Sequence, residues 1–580
     1  MIENSTDQFF KSKVLGHPSG LFVLFFTEMW ERFSFYGMRA LLVLFLTTSI
    51  LGGGWEWPRE HAMSLFGSYV GLVYLSTMLG GYFADKIIGY RYAVLVGALL
   101  MTLGHGSMAI ETPWSIYLGL ALLVFGNGFF KPNMTSIISE MYQHRPEKKD
   151  GAYTIFYMGV NAGAFFGILL CGYLGEKVGW SLGFGLAGIF MFFGLVQFWL
   201  SQNIFGNIGL KPNKADENSI EALDKDKRNP FAPWQLVVIA LCVILGVVWI
   251  INEPATLISD GSFNMLAFLG ENGNNIAILT ALVLFVILLI YRLTQYSKIT
   301  QEKLIAVSFF AFLTIFFWAI FEQSPGTLTI FARDYTDRVL DGTSGTIFKV
   351  VNACMTIIPL AIITWVLYLL FKQTFKKYAI ANIVLGFSFV IVWGVAIWML
   401  NDQFSDENPE VPASWFSTLN SLFIITLAPL FSKWWESKYN PSANMKYGIG
   451  MFLLALGMAC VAFGAGGIEP GAQTASVSMI WLILVYLFHT MGELCISPVG
   501  LSYVSKLVPA RMIAFMFGVW YLAVAIGMKG AGKFGENIDK IANENGVSYF
   551  FWMLTIVSVA VGVIAIVFQP VIKKLMHGVR

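Results

Sequence analysis

Thr27-Glu28-Met29-Trp30-Glu31-Arg32-Phe33-Ser34-Phe35-Tyr36-Gly37-Met38-Arg39 places two carboxylates and two guanidiniums inside an apolar run from about residue 21 to residue 50. A run of that length is enough to cross a bilayer, since a helical span needs roughly 20 residues. An ionisable side chain at the bilayer centre costs roughly 2.5–3.5 kcal/mol on insertion scales. Four unpartnered ones would cost on the order of 10 kcal/mol as an upper bound, because not all of them lie at the midplane. Partners or a wet cavity are therefore required. Glu28, Arg32, Phe35 or Tyr36, and Arg39 recur at helical steps and share one face. Glu28 and Arg32 are spaced to pair along the helix, with Glu31 beside that stripe. The stretch reads either as a salt-bridge staple between two helices or as the polar wall of a water-filled path that handles charge or protons.

The rest of the chain sets this stretch in a polytopic membrane protein. Of 580 residues, 57% are hydrophobic and only 12% charged, and the mean hydropathy is +0.67. Those values exclude a soluble domain with a large core. The net charge of +2 carries no nucleic-acid signal, and no basic cluster with interleaved aromatics suggests one. Cys171, Cys242, Cys354, Cys460 and Cys495 lie in apolar stretches without metal-ligand or redox spacing. They read as small buried residues, and no metal or other cofactor is expected. The first twenty residues lack a signal-peptide pattern, so the first apolar run is expected to be retained.

Hydropathy predicts about sixteen spans. An even number puts both ends on one side. The basic loops, among them Arg145 with Lys148 and Lys149, and Lys372 with Lys376 and Lys377, fall on that same side. By the positive-inside rule both termini are expected in the cytoplasm, and the chain in the plasma membrane. Six spans fall in residues 1–202, and 203–233 reads as a polar cytoplasmic linker between halves. Residues 234–298 predict an extra hairpin, with spans at 234–251 and 275–294, that carries little intramembrane charge and faces lipid. Residues 299–345 hold the first core span of the second half, at 303–330, while 346–400 form a second extra hairpin and 401–580 the remainder. Removing the hairpins leaves six plus six, the pattern of transporters built from pseudo-symmetric halves.

Ionisable residues inside other spans are functional-site candidates by default. Lys131, in Phe129-Phe130-Lys131-Pro132-Asn133, needs a carboxylate, and the first span has two. Glu322 lies among aromatic and aliphatic neighbours in Phe317-Trp318-Ala319-Ile320-Phe321-Glu322 and is a candidate proton site. His489 and Glu493 stand one turn apart, and Glu493 is the stronger candidate for a ligand contact. Asn161 and Asn420 are single amides in apolar helices, which suit either a pocket or interhelical contact. The small residues Gly159, Ala162, Gly163 and Ala164 around Asn161 suit close helix packing. Tyr36, Tyr74, Trp318 and Trp520 are candidate pocket aromatics. Asp85, at a helix end beside Lys86 and Arg91, suits a loop latch or gate.

These residues together make the chain resemble the proton-dependent oligopeptide transporters of the major facilitator superfamily. The resemblance rests on Glu28-x-x-Glu31-Arg32-Phe33, on Gly81-Tyr82-Phe83-Ala84-Asp85-Lys86-Ile87-Ile88-Gly89, and on Tyr153-Thr154-Ile155-Phe156-Tyr157-Met158-Gly159-Val160-Asn161-Ala162-Gly163. It extends over nearly the whole chain. It implies a major facilitator fold and proton-driven import of di- and tripeptides by a chain functional as a monomer. Arg39 and Lys131 would take the peptide carboxylate. Glu493, helped by Asn161 and Asn420, would take the amino terminus. Tyr36, Tyr74, Trp318 and Trp520 would shape side-chain pockets. Glu322 would carry the proton and pair with Arg39 when ionised, while Glu28, Glu31 and Arg32 would couple with Lys131.

Three departures from the family pattern stand out. The second hairpin interrupts the step from the seventh to the eighth core helix, with peripheral packing or a partner surface as its expected role. The stretch from Gly67 to Tyr74 has no titratable histidine, so carboxylates must carry the proton. Phe35 and Ala523-Val524 replace hydroxyl-bearing residues common in the family. Another small anion or amphipathic metabolite as substrate, drug export, and a peptide-sensing transceptor stay open. The absence of HExxH, GxSxG and a phosphate-binding glycine loop argues against an enzyme.

Overall fold

The computed structural model describes residues 12–211, 231–270, 272–507 and 513–578. Most of the expected linker at 203–233 lies outside the described residues. The first half contains α1 (Ser19–Thr47), α2 (Arg59–Phe83), α3 (Tyr90–Met108), α4 (Pro113–Met141), α5 (Lys149–Lys177) and α6 (Trp180–Ser201). A hairpin of α7 (Pro233–Ile258) and α8 (Gly273–Leu293) leads to α9 (Lys298–Phe321). The second hairpin is α10 (Gly342–Thr374) and α11 (Ala379–Ser405). Then come α12 (Thr418–Glu436), α13 (Ala443–Gly464), α14 (Ile480–Leu507), α15 (Ile513–Gly535) and α16 (Val547–Val567). Among the described residues, thirteen helical segments are long and apolar enough to cross a membrane. The charges of α1 keep it out of that set, and α1, α3 and α15 bring the spans to sixteen. The architecture is the major facilitator fold, six plus six core helices with two added hairpins.

Local sequence starts and turns these helices. Thr112 forms a reciprocal cap with Ser115, and Pro113 opens α4, where a missing amide does no harm. Pro233 does the same for α7. Gly89 turns the chain between α2 and α3 at φ 81°, and a Cβ there would lie 2.7 Å from the Leu210 carbonyl oxygen.

Helix α1 is buried along almost its whole length because glycines let its neighbours approach. Gly159, Gly163 and Gly167 form a stripe on α5, one per turn. A Cβ on Gly163 would fall 2.2 Å from the Met29 carbonyl oxygen, and one on Gly167 would fall 2.2 Å from that of Phe33. Lipid tails supply no hydrophobic drive between helices, so such close packing is what fixes α1 against α5. On another side Trp30 stacks on Phe190 of α6 at 4.5 Å between ring centroids.

The second hairpin packs on the first half, although it is inserted in the second. Phe389 of α11 meets Phe26 at 5.7 Å and Trp30 at 5.5 Å, edge to face. Tyr173 of α5 donates to Asp402 at the end of α11 at 2.5 Å. This hairpin therefore covers the back of the charged helix while its other face stays apolar and exposed, with Ile362, Trp365 and Val390 among its exposed residues. The first hairpin is also mostly exposed, and the little charge expected of it includes Glu253. Helix α7 runs two turns beyond the 251 boundary expected from hydropathy, because Pro254 is accommodated inside it, and so Glu253 is a helical residue.

Phe389→Ala is expected to remove two edge-to-face pairs, each worth about 0.5–1.5 kcal/mol. The thermal midpoint of the detergent-solubilised protein should drop, while Val390→Ala, at an exposed neighbour, leaves it unchanged. Equal midpoints for the two variants would mean that the hairpin does not brace α1.

Candidate functional site: a charged chamber between the halves

Helix geometry and the glycine stripe place the α1 charges on two clusters. In the first, Arg32 Nε lies 2.9 Å from Glu28 Oε1 and 2.5 Å from Glu31 Oε2. All three residues are buried, at 3% exposure or less. Asn127 of α4 donates to Glu31 Oε1 at 3.1 Å. Glu28 Oε2 and Arg32 Nη2 have no hydrogen-bond partner although they are buried. A cluster with unfilled donors and acceptors in low dielectric is poised to respond to a nearby change of charge. Lys131, one turn after Asn127, is close enough to feel Glu28 and Glu31. It forms no ion pair within 4.0 Å among the described residues, and its ammonium sits over the Tyr74 ring at 4.3 Å.

The second cluster joins the two halves. Arg39 Nη1 donates to Glu322 Oε2 at 2.9 Å, with the Glu322 side chain 2% exposed. The Arg39 guanidinium also lies 4.8 Å from the Tyr36 ring centroid and 5.6 Å from that of Phe35. Glu322 is held where α9 breaks. Pro325 follows in a wide turn over Ser324–Leu328 before a last short helix, Thr329–Asp334. Gln323 stitches the break to α15 by donating to the Ala531 carbonyl at 3.0 Å, and Thr327 donates back to Gln323 at 2.8 Å. The single span expected over 303–330 is thus interrupted immediately after its carboxylate, because a proline removes a helical hydrogen bond there.

On the opposite wall, Asn420 donates to Glu493 Oε2 and to Thr490 Oγ1, each at 3.0 Å. His489 is buried between Phe321, stacked at 5.9 Å, and Gly457. Tyr74 is close enough to Arg39, Arg32, Glu322 and Glu493 to feel all four charges, so the clusters flank one chamber. Tyr157 of α5 is 45% exposed and within reach of the Glu493 charge. Trp318 is part-exposed and edge-on to Phe317 and Phe321. The structure sets two candidates back from the chamber. Asn161 donates to the Tyr157 carbonyl of its own helix at 2.9 Å. Trp520 is 5% exposed, and a Cβ on Gly500 would strike its ring. Asp85 lies away from the chamber, exposed on the side of the chain ends, and takes a hydrogen bond from Tyr90.

The far side, opposite both described chain ends, is shut. Arg59 at the start of α2 reaches Asp334 at 2.9 Å and Asp539 at 2.8 Å. Glu176 at the end of α5 accepts from the backbone amides of Ala413 and Ser414 at 2.8 and 2.9 Å, a carboxylate on the helix start that leads into α12. In the same rim Glu410 meets Lys177 at 2.7 Å and Arg338 at 2.8 Å. Partial burial works to raise the Glu410 pKa, but the two cations outweigh it and hold the carboxyl below its ordinary value.

The POT family model matches residues 91–407 and 392–553. The chain belongs to the POT family. It is 30% identical over 574 residues to the peptide transporter YePEPT of Yersinia enterocolitica, covering 97% of this chain and 96% of that one. It is 29% identical over 586 residues to a di-/tripeptide transporter of Lactococcus lactis subsp. cremoris, covering 100% and 99%. Among solved structures, the peptide transporter POT in complex with sulfate matches with a TM-score of 0.71 at 29% identity, over 99% of each chain.

Within this POT-family chamber, sequence reasoning missed Asn127 and the rim. Asn127 carried a usable signal, an amide in an apolar helix four residues before Lys131. Arg59, Asp334 and Asp539 carried none, because a charge at a helix end is ordinary at a membrane surface. Asn127→Leu leaves Glu31 Oε1 without its donor and is expected to destabilise the protein by about 1–3 kcal/mol. An unchanged thermal midpoint in detergent would show that the bond to Asn127 contributes nothing.

Proposed function

We propose that this POT-family chain imports di- and tripeptides together with protons, by alternating access of one chamber to the two sides of the membrane. The observation that carries this reading is the buried Arg39–Glu322 ion pair, which crosses between the halves. A buried cation and anion each need a partner. Protonation of Glu322 releases Arg39, and a peptide carboxylate then replaces the lost anion. Proton and peptide thus favour the same state, and that differential affinity is the source of coupling. Lys131 is positioned to join Arg39 at the carboxylate and to answer to Glu28, Glu31 and Arg32. Glu493, paired with Asn420, takes the peptide ammonium, while Asn161 supports that wall. Tyr36, Tyr74 and Trp318 bound the side-chain space, with Trp520 behind them, and aromatic surfaces there recognise area more than identity. Asp85 latches the loop on the side of the chain ends.

The names borne by the Yersinia and Lactococcus relatives support a peptide substrate. The basic loops support cytoplasmic termini in a bacterial inner membrane. On that orientation the shut far side faces outward, and this is an inward-facing state. The coupling ion is the proton, no cofactor is assigned, one chain suffices for transport, and the chain carries out no enzymatic step.

Proteoliposomes with an imposed inward proton gradient should accumulate labelled dialanine, and an uncoupler should collapse the accumulation. No accumulation in tight, correctly reconstituted vesicles moves the assignment to a non-peptide substrate. Glu322→Gln is expected to abolish gradient-driven uptake while peptide counterflow continues; wild-type rates in both assays would remove Glu322 as the proton site. Lys131→Ala is expected to reduce driven uptake by about tenfold or more, the scale of a lost coupling contact. Unchanged uptake would make Lys131 a structural residue.

A further inference from the structure

Lys529 of α15 is a buried cation that the transport reading does not use. It is 2% exposed. Its ammonium donates to Ser68 Oγ of α2 at 2.8 Å and lies 2.6 Å from Glu253 Oε2 of α7. Lys533, one turn on, also pairs with Glu253 and reaches Glu536 at 2.8 Å. The Trp249 ring lies 5.4 Å from the Lys529 ammonium. A lone cation buried among membrane helices is costly, so this group of contacts needs a reason.

The contacts divide between the two halves. Helix α7 packs along α2, so Glu253 and Ser68 sit with the first half. Lys529 and Lys533 belong to α15, in the second. Beside them the two halves touch backbone to backbone. A Cβ on Gly67 would fall 2.6 Å from the Gly532 Cα, and one on Gly532 would fall 2.6 Å from the Met63 carbonyl oxygen. This seam between α2 and α15 must part for the chamber to open on the far side. It lies deeper than the Arg59 rim and more than two turns from Trp520. It therefore faces the gate and not the peptide.

We propose that Glu253, Lys529 and Ser68 form an ionic clasp that holds the far side shut, which makes the first hairpin a working part of the gate. While the seam is closed, Glu253 neutralises Lys529 and Ser68 Oγ accepts a hydrogen bond from its ammonium. Parting the seam strips Lys529 of both partners at once, so the clasp biases the equilibrium toward the closed far side. The Lys533 bond to Glu253, nearer the surface, re-forms most easily and guides reclosure. This inference rests on alternating access, and its test reads conformation without peptide.

The test uses the full-length protein in nanodiscs, with spin labels at Glu60→Cys and Lys540→Cys, exposed positions on either side of the seam. Cys354→Ser removes the exposed native thiol. Pulsed electron spin measurements give the distance between the labels. Glu253→Gln and Lys529→Met are each expected to raise the ratio of the long to the short distance by about tenfold, within the usual range for a coupling contact. The charge-reversed pair Glu253→Lys with Lys529→Glu should restore part of the short distance. Ser68→Ala, which removes one hydrogen bond, should shift the ratio the same way by less, and it decides the matter if the charge variants do not fold. Unchanged distances in folded variants overturn the clasp. So does an equal shift in Val237→Ala, a substitution on the exposed face of α7. Failure of dialanine uptake in the wild-type protein would sink the peptide assignment and leave these distances untouched.

Discussion

Arg39 and Glu322 hold each other's charge in a place where neither can stand alone. The need for a partner at every buried charge organises the rest of the chamber. Arg32 sits between Glu28 and Glu31, Glu493 leans on Asn420, and Lys131 rests on the face of Tyr74. The arrangement on α1 is not saturated. Glu28 and Arg32 keep buried polar atoms without partners, and Lys131 has an aromatic face where a carboxylate would bind it more strongly. Such a site is stable enough to fold and loose enough to exchange one partner for another. A transporter needs that balance, because a fully satisfied network has no reason to change state.

Backbone packing sets how accurately these partners meet. The glycines of α5 bring α1 close enough that a methyl group would collide with its carbonyls. The proline break after Glu322 ends α9 at the carboxylate and lets Gln323 tie the broken turn to α15. Close contact of small residues recurs at the seam between α2 and α15, where the halves must part. The same device therefore serves in two places, within a half and between the halves.

The two hairpins differ in what they brace. The second reaches back over the first half and lays Phe389 against the buried face of α1, behind the charged stripe. The first carries one carboxylate inward to the cations of α15. Both present apolar faces outward. An insertion between core helices need not pack on the half that contains it.

Much of the candidate site is legible in the residues alone. Glu28, Glu31, Arg32, Arg39, Lys131, Glu322 and Glu493 were visible because charge in an apolar helix is expensive wherever it occurs, and helical spacing assigns it to a face. The span count was legible for the same reason, through the length of each apolar run. What the residues could not reveal was pairing across distance. That Arg32 occupies both carboxylates and leaves Lys131 to an aromatic ring depends on where α4 stands beside α1. That Asn161 turns to its own helix, and that Trp520 lies against Gly500, depends on how closely neighbouring helices approach. Glu253 was hidden by two residues of helix that hydropathy assigned to a loop, and Arg59 by its ordinary place at a helix end. The sequence by itself determined which residues must find partners, because desolvation is a local cost. Only the tertiary structure decided which partner each one found, because that choice depends on distances between helices far apart in the chain.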